Sequence, residues 1–511
     1  SPSPINFGNQ RLNQVAAQML TVLNTASADG FSEGLDAAFS GSTGAASHNN
    51  GTVGLLAAGG SNNANMQVAL NTTTAGAKTG SVTLAYQSNG QGTSGFGAIA
   101  AGGQTINVSG NVFREAVGNV TPHSANFAAR VGDVVAAQAL TVANIALADG
   151  FSETLHANVG TAPTGFTTAG SSAITNLAAG SSNSSSLKVA LQTGTAGTFN
   201  GLLDVNLASH LDGHSDLPLT TQQVALSGKV YTPAVPQVTQ TELDFGIVHV
   251  GEVTSAKTLV VKNNALVTAL NDTLRGTFHS ATGPFTASGN LGAGLGAQVT
   301  DTTSLAAHLS TANAGIFNGS GLLSLVSSNP DMADLAFADQ NIVLKGQVNN
   351  FAQGEFAFKG GQGSFSKQSQ TSFLLDFGSI VEGSAARLAS LALGNAVLGP
   401  ADLLDGLFQS VGSALFGETG FSSLQDLEAG EQKLGLGLAF NPLTVGQFTK
   451  TITFKGTGHN ASGFSGNLAD VILLVKGTVT AQPTGQVPEP GTLLLLASGL
   501  AGLAAWRRKS S

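Results

Sequence analysis

The chain contains no cysteine in 511 residues, which excludes disulfide bonds and thiolate metal sites. Charged residues make up only 10% of the chain, against about 25% in ordinary soluble domains. The formal net charge is −9, so the sequence offers no basic surface for nucleic acid, and we expect no such partner. Aromatic side chains with a polar tip are also rare, since the chain has one Trp and two Tyr, Tyr86 and Tyr231. Exposed aromatic platforms for sugars are therefore scarce.

Small residues are abundant where charged and aromatic residues are few, since 67 of the 511 residues are glycine. Short segments such as "MLTVLN", "ALTVAN" and "SVTLAY" alternate apolar and polar side chains, which is typical of half-buried β-strands. Clusters of Gly, Asn, Asp and Ser separate these segments and favour turns. The pattern predicts an all-β chain of many short strands.

Three landmarks recur in four copies at nearly constant spacing, which indicates internal repeats. Each copy has a phenylalanine, then an asparagine 17 or 18 residues later, then a glycine 100 to 103 residues after the phenylalanine. The phenylalanines are Phe7, Phe127, Phe245 and Phe377; the asparagines are Asn24, Asn144, Asn263 and Asn395; the glycines are Gly110, Gly228, Gly346 and Gly477. A glycine follows the phenylalanine in three copies and suits a β-bulge there. The second copy has Ala128 instead.

A repeat of this length, built from short strands, predicts four tandem immunoglobulin-like β-sandwich domains. The predicted domains cover residues 1–118, 119–236, 237–350 and 351–484, and a C-terminal segment covers 485–511. Pro233 and Pro236 predict a stiff joint between the second and third domains. In the fourth domain, the apolar stretch 403–421 suggests a short helix.

Few residues suggest a catalytic or metal-binding site. The segment "HLDGHSD" contains His210, Asp212, His214 and Asp216, whose nitrogen and oxygen atoms could bind a divalent metal. The alternative is a solvated hairpin loop, and we expect no metal and no other cofactor. A second hypothesis is calcium, bound by Asp29 with Glu33 and by Asp149 with Glu153.

No catalytic residues are predicted, and we expect the protein not to be an enzyme. Ser32 lies in "GFSEG", but a nucleophile elbow of that pattern needs a strand-to-helix turn in an α/β sheet. Its counterpart in the second copy reads "GFSET" and lacks the final glycine.

The C-terminal segment has three parts in a fixed order. Pro488, Glu489 and Pro490 come first, followed by an apolar run that ends at Trp506. Three basic residues, Arg507, Arg508 and Lys509, come next. The run predicts a short hydrophobic helix with its aromatic residue at a membrane interface, and the basic residues should stay on the cytoplasmic side. The chain begins with Ser1, and we expect an export signal to have preceded it.

This three-part segment resembles the PEP-CTERM sorting signal of Gram-negative bacteria. The resemblance implies export and processing by an exosortase that recognises Pro488, Glu489 and Pro490. Trp506, Arg507, Arg508 and Lys509 would then form the membrane anchor and its basic stop. The implied location is the cell envelope, the outer surface or the extracellular matrix, with transient or permanent anchoring by the tail.

The pattern "LDFG" followed by "VG" and "L-V-N" in the third and fourth copies resembles abnormal-spindle/hydin-type immunoglobulin-like domains. Bacterial proteins described as choice-of-anchor D carry such domains together with this C-terminal signal. The resemblance implies a fold and a surface setting but no activity. The expected function is an exported structural rod, associated with biofilm or exopolysaccharide or with copies of itself. The alternative is a carbohydrate-binding or adhesin array, with Tyr86 as a residue to test.

Overall fold

The computed structural model describes residues 3–483 of the chain. All regular elements in this range are β-strands, and they form four sandwiches in chain order. Four separate hydrophobic cores are present, one in each sandwich. The prediction of an all-β chain of tandem immunoglobulin-like sandwiches is confirmed.

The first sandwich pairs its strands in the orders β1-β10-β9-β4-β6, β2-β8-β5 and β3-β7. Its strands are Ile5–Arg11 (β1), Ala16–Met19 (β2), Val22–Leu23 (β3), Gly34–Gly44 (β4), Ala46–His48 (β5), Thr52–Leu56 (β6), Ser61–Asn62 (β7), Gln67–Leu70 (β8), Gly76–Asn89 (β9) and Ile99–Phe113 (β10).

The second sandwich has a four-stranded sheet, β11-β13-β17-β15, and a larger sheet, β12-β20-β18-β14-β16, with β19 on β18. Its strands are Gly118–Thr121 (β11), Ser124–Arg130 (β12), Gln138–Asn144 (β13), Thr154–Val159 (β14), Phe166–Gly170 (β15), Ala173–Leu177 (β16), Ser182–Leu191 (β17), Gly197–His210 (β18), Leu217–Pro218 (β19) and Gln222–Tyr231 (β20).

The third sandwich contains the sheets β21-β24-β27, β23-β28-β26 and β22-β31-β29-β25, with β30 on β29. Its strands are Pro236–Val238 (β21), Glu242–His249 (β22), Lys257–Thr258 (β23), Val261–Asn263 (β24), Thr273–His279 (β25), Phe285–Ser288 (β26), Thr300–Asp301 (β27), Ala306–Leu309 (β28), Gly315–Ser328 (β29), Leu335–Ala336 (β30) and Gln340–Asn349 (β31).

The fourth sandwich contains the sheets β32-β35-β39-β37 and β33-β34-β42-β40-β36-β38, with β41 on β40. Its strands are Gly354–Gly361 (β32), Ser364–Lys367 (β33), Ser372–Val381 (β34), Arg387–Asn395 (β35), Leu403–Gly412 (β36), Phe416–Thr419 (β37), Leu424–Leu427 (β38), Gln432–Phe440 (β39), Gly446–His459 (β40), Ser465–Asn467 (β41) and Val471–Thr480 (β42). The short helix expected within 403–421 is wrong, because β36 and β37 occupy that stretch and pair with their neighbours.

The repeated phenylalanine and the closing glycine lie on neighbouring strands in each sandwich. The strand that carries the phenylalanine runs parallel to the last strand, as β12 does beside β20, where Phe127 is opposite Gly228. A Cβ atom on Gly228 would lie 2.4 Å from the Leu191 side chain. A Cβ atom at the closing glycine of the other copies would likewise lie within 3 Å of a core side chain, that of Leu70, Leu309 or Phe440. The closing glycine is therefore kept free of a side chain by core packing in each repeat.

Candidate functional site

Each repeated asparagine is buried at the end of a strand and holds the backbone around an acidic residue. In the second sandwich, Asn144 Nδ2 donates to the carbonyls of Glu153 and Leu177, both at 3.1 Å. Its Oδ1 accepts from the amides of Val117 and Ala146, both at 3.2 Å. Asn263 and Asn395 make equivalent bonds around Asp272 and Asp402. The asparagine therefore positions a carboxylate at one end of its sandwich.

The carboxylate of the second sandwich receives a basic side chain from the first. Arg11 ends β1, and its Nε lies 2.9 Å from Glu153 Oε1. Ser209 Oγ donates to Glu153 Oε2 at 2.6 Å and accepts from the Ala116 amide of the linker at 2.7 Å. Glu153 is only 1% exposed, so the joint between the two sandwiches has a buried ion pair.

The same arrangement joins the second and third sandwiches. Arg130 ends β12, and its Nε lies 2.6 Å from Asp272 Oδ2. Ser327 Oγ donates to the same carboxylate at 2.7 Å and accepts from the Ala234 linker amide at 2.8 Å. Asp272 is fully buried. Beside this pair, Asp331 binds Lys229 Nζ at 2.9 Å and accepts from the hydroxyl of Tyr231.

The joint between the third and fourth sandwiches uses histidine in place of arginine. His249 ends β22, and its Nε2 lies 2.8 Å from Asp402 Oδ2. Asn349 and Asn460 donate to Asp402 Oδ1 at 3.1 and 2.8 Å. The imidazole ring stacks on Phe351 with a centroid distance of 4.1 Å. Each of the three joints therefore places a basic residue from one sandwich against a buried carboxylate of the next.

Sequence reasoning missed these joints, although a signal was present. The acidic residue follows the repeated asparagine by nine residues in three copies and by seven in the fourth. The basic residue closes the first long strand, four residues after Phe7 and Phe245 but three after Phe127. The fourth copy has Val381 at that position. In the first sandwich, Glu33 occupies the acidic position and accepts from Ser88 and Ser94 Oγ, both at 2.6 Å, and these bonds hold its pKa below the usual range.

Three of the four predicted metal-site residues, His210, Asp212 and Asp216, lie in a polar cluster at one end of the second sandwich. His210 Nδ1 lies 2.7 Å from Asp216 Oδ1, and its Nε2 lies 3.2 Å from Asp212 Oδ1. His156, which the sequence did not indicate, stacks on His210 at 4.3 Å and lies 3.0 Å from Asp216 Oδ2. The hydrogen bond to Asp216 raises the pKa of His210, and the same bond lowers the pKa of Asp216.

His214 does not join this cluster. Its Nε2 lies 2.7 Å from the backbone oxygen of Asn9 in the first sandwich, so it contributes to the first joint. The ring nitrogens of His156 and His210 all face a side-chain oxygen. Histidine nitrogens that already have protein partners could bind a metal only by giving them up.

A second cluster lies at the equivalent place in the fourth sandwich. His459 Nε2 is 3.3 Å from Asp405 Oδ2 and 3.2 Å from Asp426 Oδ1. Two sets of possible metal ligands are found among residues 3–483: this one, and the group of His156, His210 and Asp216.

In the second copy, the two carboxylates of the calcium hypothesis bind different arginines. Asp149 binds Arg114 at 2.7 Å, while Glu153 binds Arg11. The hydrogen bond from the Phe151 amide, followed by that from Arg114, holds the pKa of Asp149 below its usual range. Each carboxylate therefore has a partner of its own.

The two tyrosines are not exposed sugar platforms. Tyr231 is 5% exposed at the second joint. Tyr86 is half-buried, and its hydroxyl donates to Gln104 Oε1 at 2.9 Å. Burial raises the pKa of both hydroxyls, that of Tyr231 to about 12.

The tail residues named from the sequence, Pro488 to Pro490 and Trp506 to Lys509, lie outside the described residues. Within residues 3–483, no helix is long and apolar enough to span a bilayer. The hydrophobic helix expected in the tail falls outside that range.

Residues 486–509 match the family model described as the PEP-CTERM protein-sorting motif. The match contains all the predicted sorting and anchor residues. The motif marks an exported protein of the cell envelope that is processed by exosortase. The match covers only the tail, and the sandwiches lie outside it.

No curated protein matches the chain. Among solved structures, the cadherin domains 1–5 of protocadherin gamma B2 align over 94% of this chain and 80% of that chain, at 9% identity and a TM-score of 0.39. The human desmocollin-1 ectodomain aligns over 94% and 81%, at 9% identity and a TM-score of 0.30. Sidekick-1 immunoglobulin domains 1–5 align over 94% and 80%, at 12% identity and a TM-score of 0.22.

Proposed function

We propose that the chain is a non-enzymatic structural protein of the cell surface or extracellular matrix, in which the four sandwiches form a rod. The observation that supports this proposal is the recurrence of one buried joint at the three boundaries between sandwiches. Arg11, Arg130 and His249 each insert into the following sandwich against a buried carboxylate. Because these contacts recur at the boundaries between sandwiches, they favour a mechanical role for the chain.

The joints also restrain the linkers between the sandwiches. In the first linker, the amides of Ala116 and Val117 donate to Ser209 Oγ and Asn144 Oδ1 of the second sandwich. The second linker binds Ser327 Oγ and Asn263 Oδ1 in the same way. A linker held through its backbone amides has few accessible conformations, so each sandwich keeps one orientation relative to the next. The boundaries that we infer near residues 118, 236 and 350 fall within these restrained segments.

The C-terminal tail contains the sorting signal. A PEP-CTERM motif at 486–509 would bring the rod to the outer surface or matrix after exosortase processing near Pro488–Pro490. The "LDFG" motifs at Leu243 and Leu375 support a choice-of-anchor D type of surface protein. The carbohydrate-binding alternative has less support, because both tyrosines are hydrogen bonded and at least half-buried.

Small-angle X-ray scattering tests the rod directly. A compact globule of this size would have a radius of gyration of about 23 Å, whereas four sandwiches in line should give roughly twice that value. Because the joint charges are buried, the scattering should change little between low and 1 M salt. His249→Ala should broaden the distance distribution by loosening the third joint. A globule-like radius, or a wild-type distribution as broad as that of the variant, would contradict the proposal.

A further inference from the structure

The cluster of Asp405, Asp426 and His459 lies at one end of the fourth sandwich, where three strands meet. Asp405 lies on β36, Asp426 on β38 and His459 at the end of β40. The Nε2 atom of His459 is 3.3 Å from Asp405 Oδ2 and 3.2 Å from Asp426 Oδ1. Strand pairing brings these residues together from separate parts of the chain, so the sequence alone does not indicate the cluster.

The imidazole of His459 has a buried nitrogen without a hydrogen bond. Its Nε2 is shielded from solvent, and among residues 3–483 it is the one buried side-chain nitrogen or oxygen atom that lacks a hydrogen-bond partner. Both carboxylate oxygens are close to it, but neither lies in hydrogen-bond geometry with the ring. A buried polar atom in this situation requires an explanation, and a bound ion is one.

The separations match those between two ligands of one metal ion. In a tetrahedral zinc site, metal–ligand bonds of about 2.0–2.2 Å put neighbouring nitrogen and oxygen ligands about 3.3–3.5 Å apart. The two N···O distances of 3.3 and 3.2 Å are close to this range. The three possible ligand atoms also lie within 4.8 Å of one another, so a single ion can reach all of them.

The backbone directs the two carboxylates toward this nitrogen. β38 has an extra residue where it pairs with β36, since Gln425 and Asp426 lie opposite Asp405. Such a bulge redirects a side chain, and Asp426 has a left-handed backbone conformation with φ of +51°. The Asp426 amide donates to Asp405 Oδ1 at 2.6 Å, which leaves Oδ2 for a ligand. Among the described residues, His459 is the only basic group paired with either carboxylate.

The first sandwich has the same backbone arrangement without these ligands. Strand pairing aligns three of its positions with those of the cluster, and they hold Asp36, Leu55 and Asn89. Asp36 Oδ1 accepts from the Leu55 amide at 2.6 Å, which is the bond that Asp405 makes in the fourth sandwich. Asn89 Nδ2 donates directly to Asp36 Oδ2 at 2.7 Å. The fourth sandwich therefore has a carboxylate in place of a leucine and an imidazole in place of an amide, and both changes add a possible metal ligand.

The second sandwich has a different polar cluster at the same positions. Strand pairing places His156, Asn176 and His210 there. Each ring nitrogen of the two histidines is hydrogen bonded to a side-chain oxygen. A metal ion would have to displace these bonds, whereas the Nε2 atom of His459 has no hydrogen bond to lose. The cluster in the fourth sandwich is therefore better prepared to bind a metal.

We propose that Asp405, Asp426 and His459 bind a zinc ion. Histidine nitrogen and carboxylate oxygen are usual zinc ligands, and three protein ligands leave a fourth tetrahedral position for water. Calcium prefers about six to eight oxygen ligands, so a site that contains an imidazole disfavours it. The ion connects the ends of β36, β38 and β40 through one side chain from each strand.

The proposed zinc site adjoins the third joint. His459 is followed by Asn460, which donates to Asp402 Oδ1 at 2.8 Å, and Asp405 follows Asp402 by three residues. The ion therefore stabilises the end of the fourth sandwich that contacts the third. Zinc binding itself goes beyond the proposed function and does not depend on it, because all three ligands belong to one sandwich.

Calorimetric titration of the metal-free full chain with zinc tests the site. One equivalent of zinc should bind, and calcium should bind at least about tenfold more weakly. His459→Asn and Asp426→Leu introduce the residue types that the first sandwich has at these positions, so both should be compatible with the fold. Loss of a residue that only orients a metal ligand typically costs about 10- to 100-fold in affinity, so each variant should weaken zinc binding by at least about tenfold. His210→Asn, the matched control in the second sandwich, should leave zinc binding unchanged.

Hydrogen exchange locates the ion and checks that each variant is folded. Zinc should slow exchange of the Asp426 amide, which donates to Asp405, in the unmodified chain but not in the His459→Asn variant. The amides of β42, an interior strand of the same sheet, should exchange at the same rate in both and show that the variant keeps its fold.

Three results would overturn the inference. The first is a chain that binds no zinc, and the second is a His459→Asn variant that binds zinc as tightly as the unmodified chain. The third is calcium bound as tightly as zinc, because the carboxylates alone would then hold the ion. An extended scattering profile in a chain that binds no zinc would contradict this inference but leave the proposed rod intact.

Discussion

At the residue scale, the joints depend on side chains whose charges are paired and shielded from water. Removing one partner of a buried ion pair leaves the other charge buried without an opposite charge. This lowers the free energy of unfolding far more than the loss of an exposed pair does. Arg130 with Asp272 and Arg114 with Asp149 allow this comparison within one protein. The first pair is buried, and the second is about one-third exposed on each side chain.

We expect Arg130→Met to destabilise the second joint by about 3–5 kcal/mol, because Asp272 stays buried without its partner. Arg114→Met should cost about 1 kcal/mol or less. Hydrogen exchange of β25, which follows Asp272, measures the local free energy of opening. Adding Asp272→Asn to Arg130→Met should recover part of the loss. Equal protection in the two single variants would show that the buried pair does not stabilise the joint.

The tyrosines give a pH-dependent signal that can be assigned to two residues. Burial, then Asp331, raises the pKa of Tyr231 to about 12 from 10.0, and burial also raises the pKa of Tyr86. A raised pKa means that the folded state binds the proton more tightly than the unfolded state. The stabilisation is therefore complete below pH 10 and is lost as the pH rises through 12.

Phenolate absorbance should appear only above pH 10 in the folded protein and near pH 10 in denaturant. Tyr86→Phe should leave one transition, near pH 12. A folded-state transition of the Tyr86→Phe variant at pH 10 would show that Tyr231 is not buried against Asp331.

At the element scale, the sequence predicted the presence of the strands better than the positions at which they begin and end. The bulge expected at the glycine after the repeated phenylalanine is present at Gly8, Gly246 and Gly378, where φ is +65°, +70° and +67°. The second copy has Ala128 and an unbroken register. This missing bulge explains why Arg130 follows its phenylalanine by three residues instead of four, since the strand reaches the same partner without an extra residue.

The element predicted wrongly was the helix in 403–421. That stretch is rich in Leu, Phe and Gly, and an apolar run does not distinguish a helix from a strand by itself. Pairing of β36 with β40 over ten residues determined the outcome. Long-range partners of this kind are not visible in a local pattern.

We expect Gly228→Ala to destabilise the second sandwich by about 1–3 kcal/mol, because the added methyl overlaps the Leu191 side chain in the core. Gly194→Ala in the same sandwich adds a methyl with no atom within 4 Å, and its effect should be small. Hydrogen exchange of the β20 amides, measured at increasing denaturant concentration, compares the stability of the two variants. A loss of the same size in both would show that the closing glycine is not required by packing.

At the scale of the whole molecule, the repeats predicted four sandwiches, but the joints could not be predicted from them. The acidic residues were visible in the sequence, and two of them, Glu33 and Glu153, suggested calcium. The basic partners of Glu153 and Asp272 are Arg11 and Arg130, and each lies 142 residues away in the preceding copy. Only the stacking of one sandwich on the next brings these residues together. The His156 contribution to the His210 cluster was missed for the same reason, because β14 and β18 meet only in the folded sheet.

The proposed function requires that the rod leaves the cell and that its tail is processed. The most direct measurement is the C-terminal mass of the protein recovered from the surface of its native cells. We predict a chain that ends within or beside Pro488–Pro490, with the apolar run and the basic residues removed. A surface protein that still ends at Ser511, or a full-length chain found only inside the cell, would contradict the account.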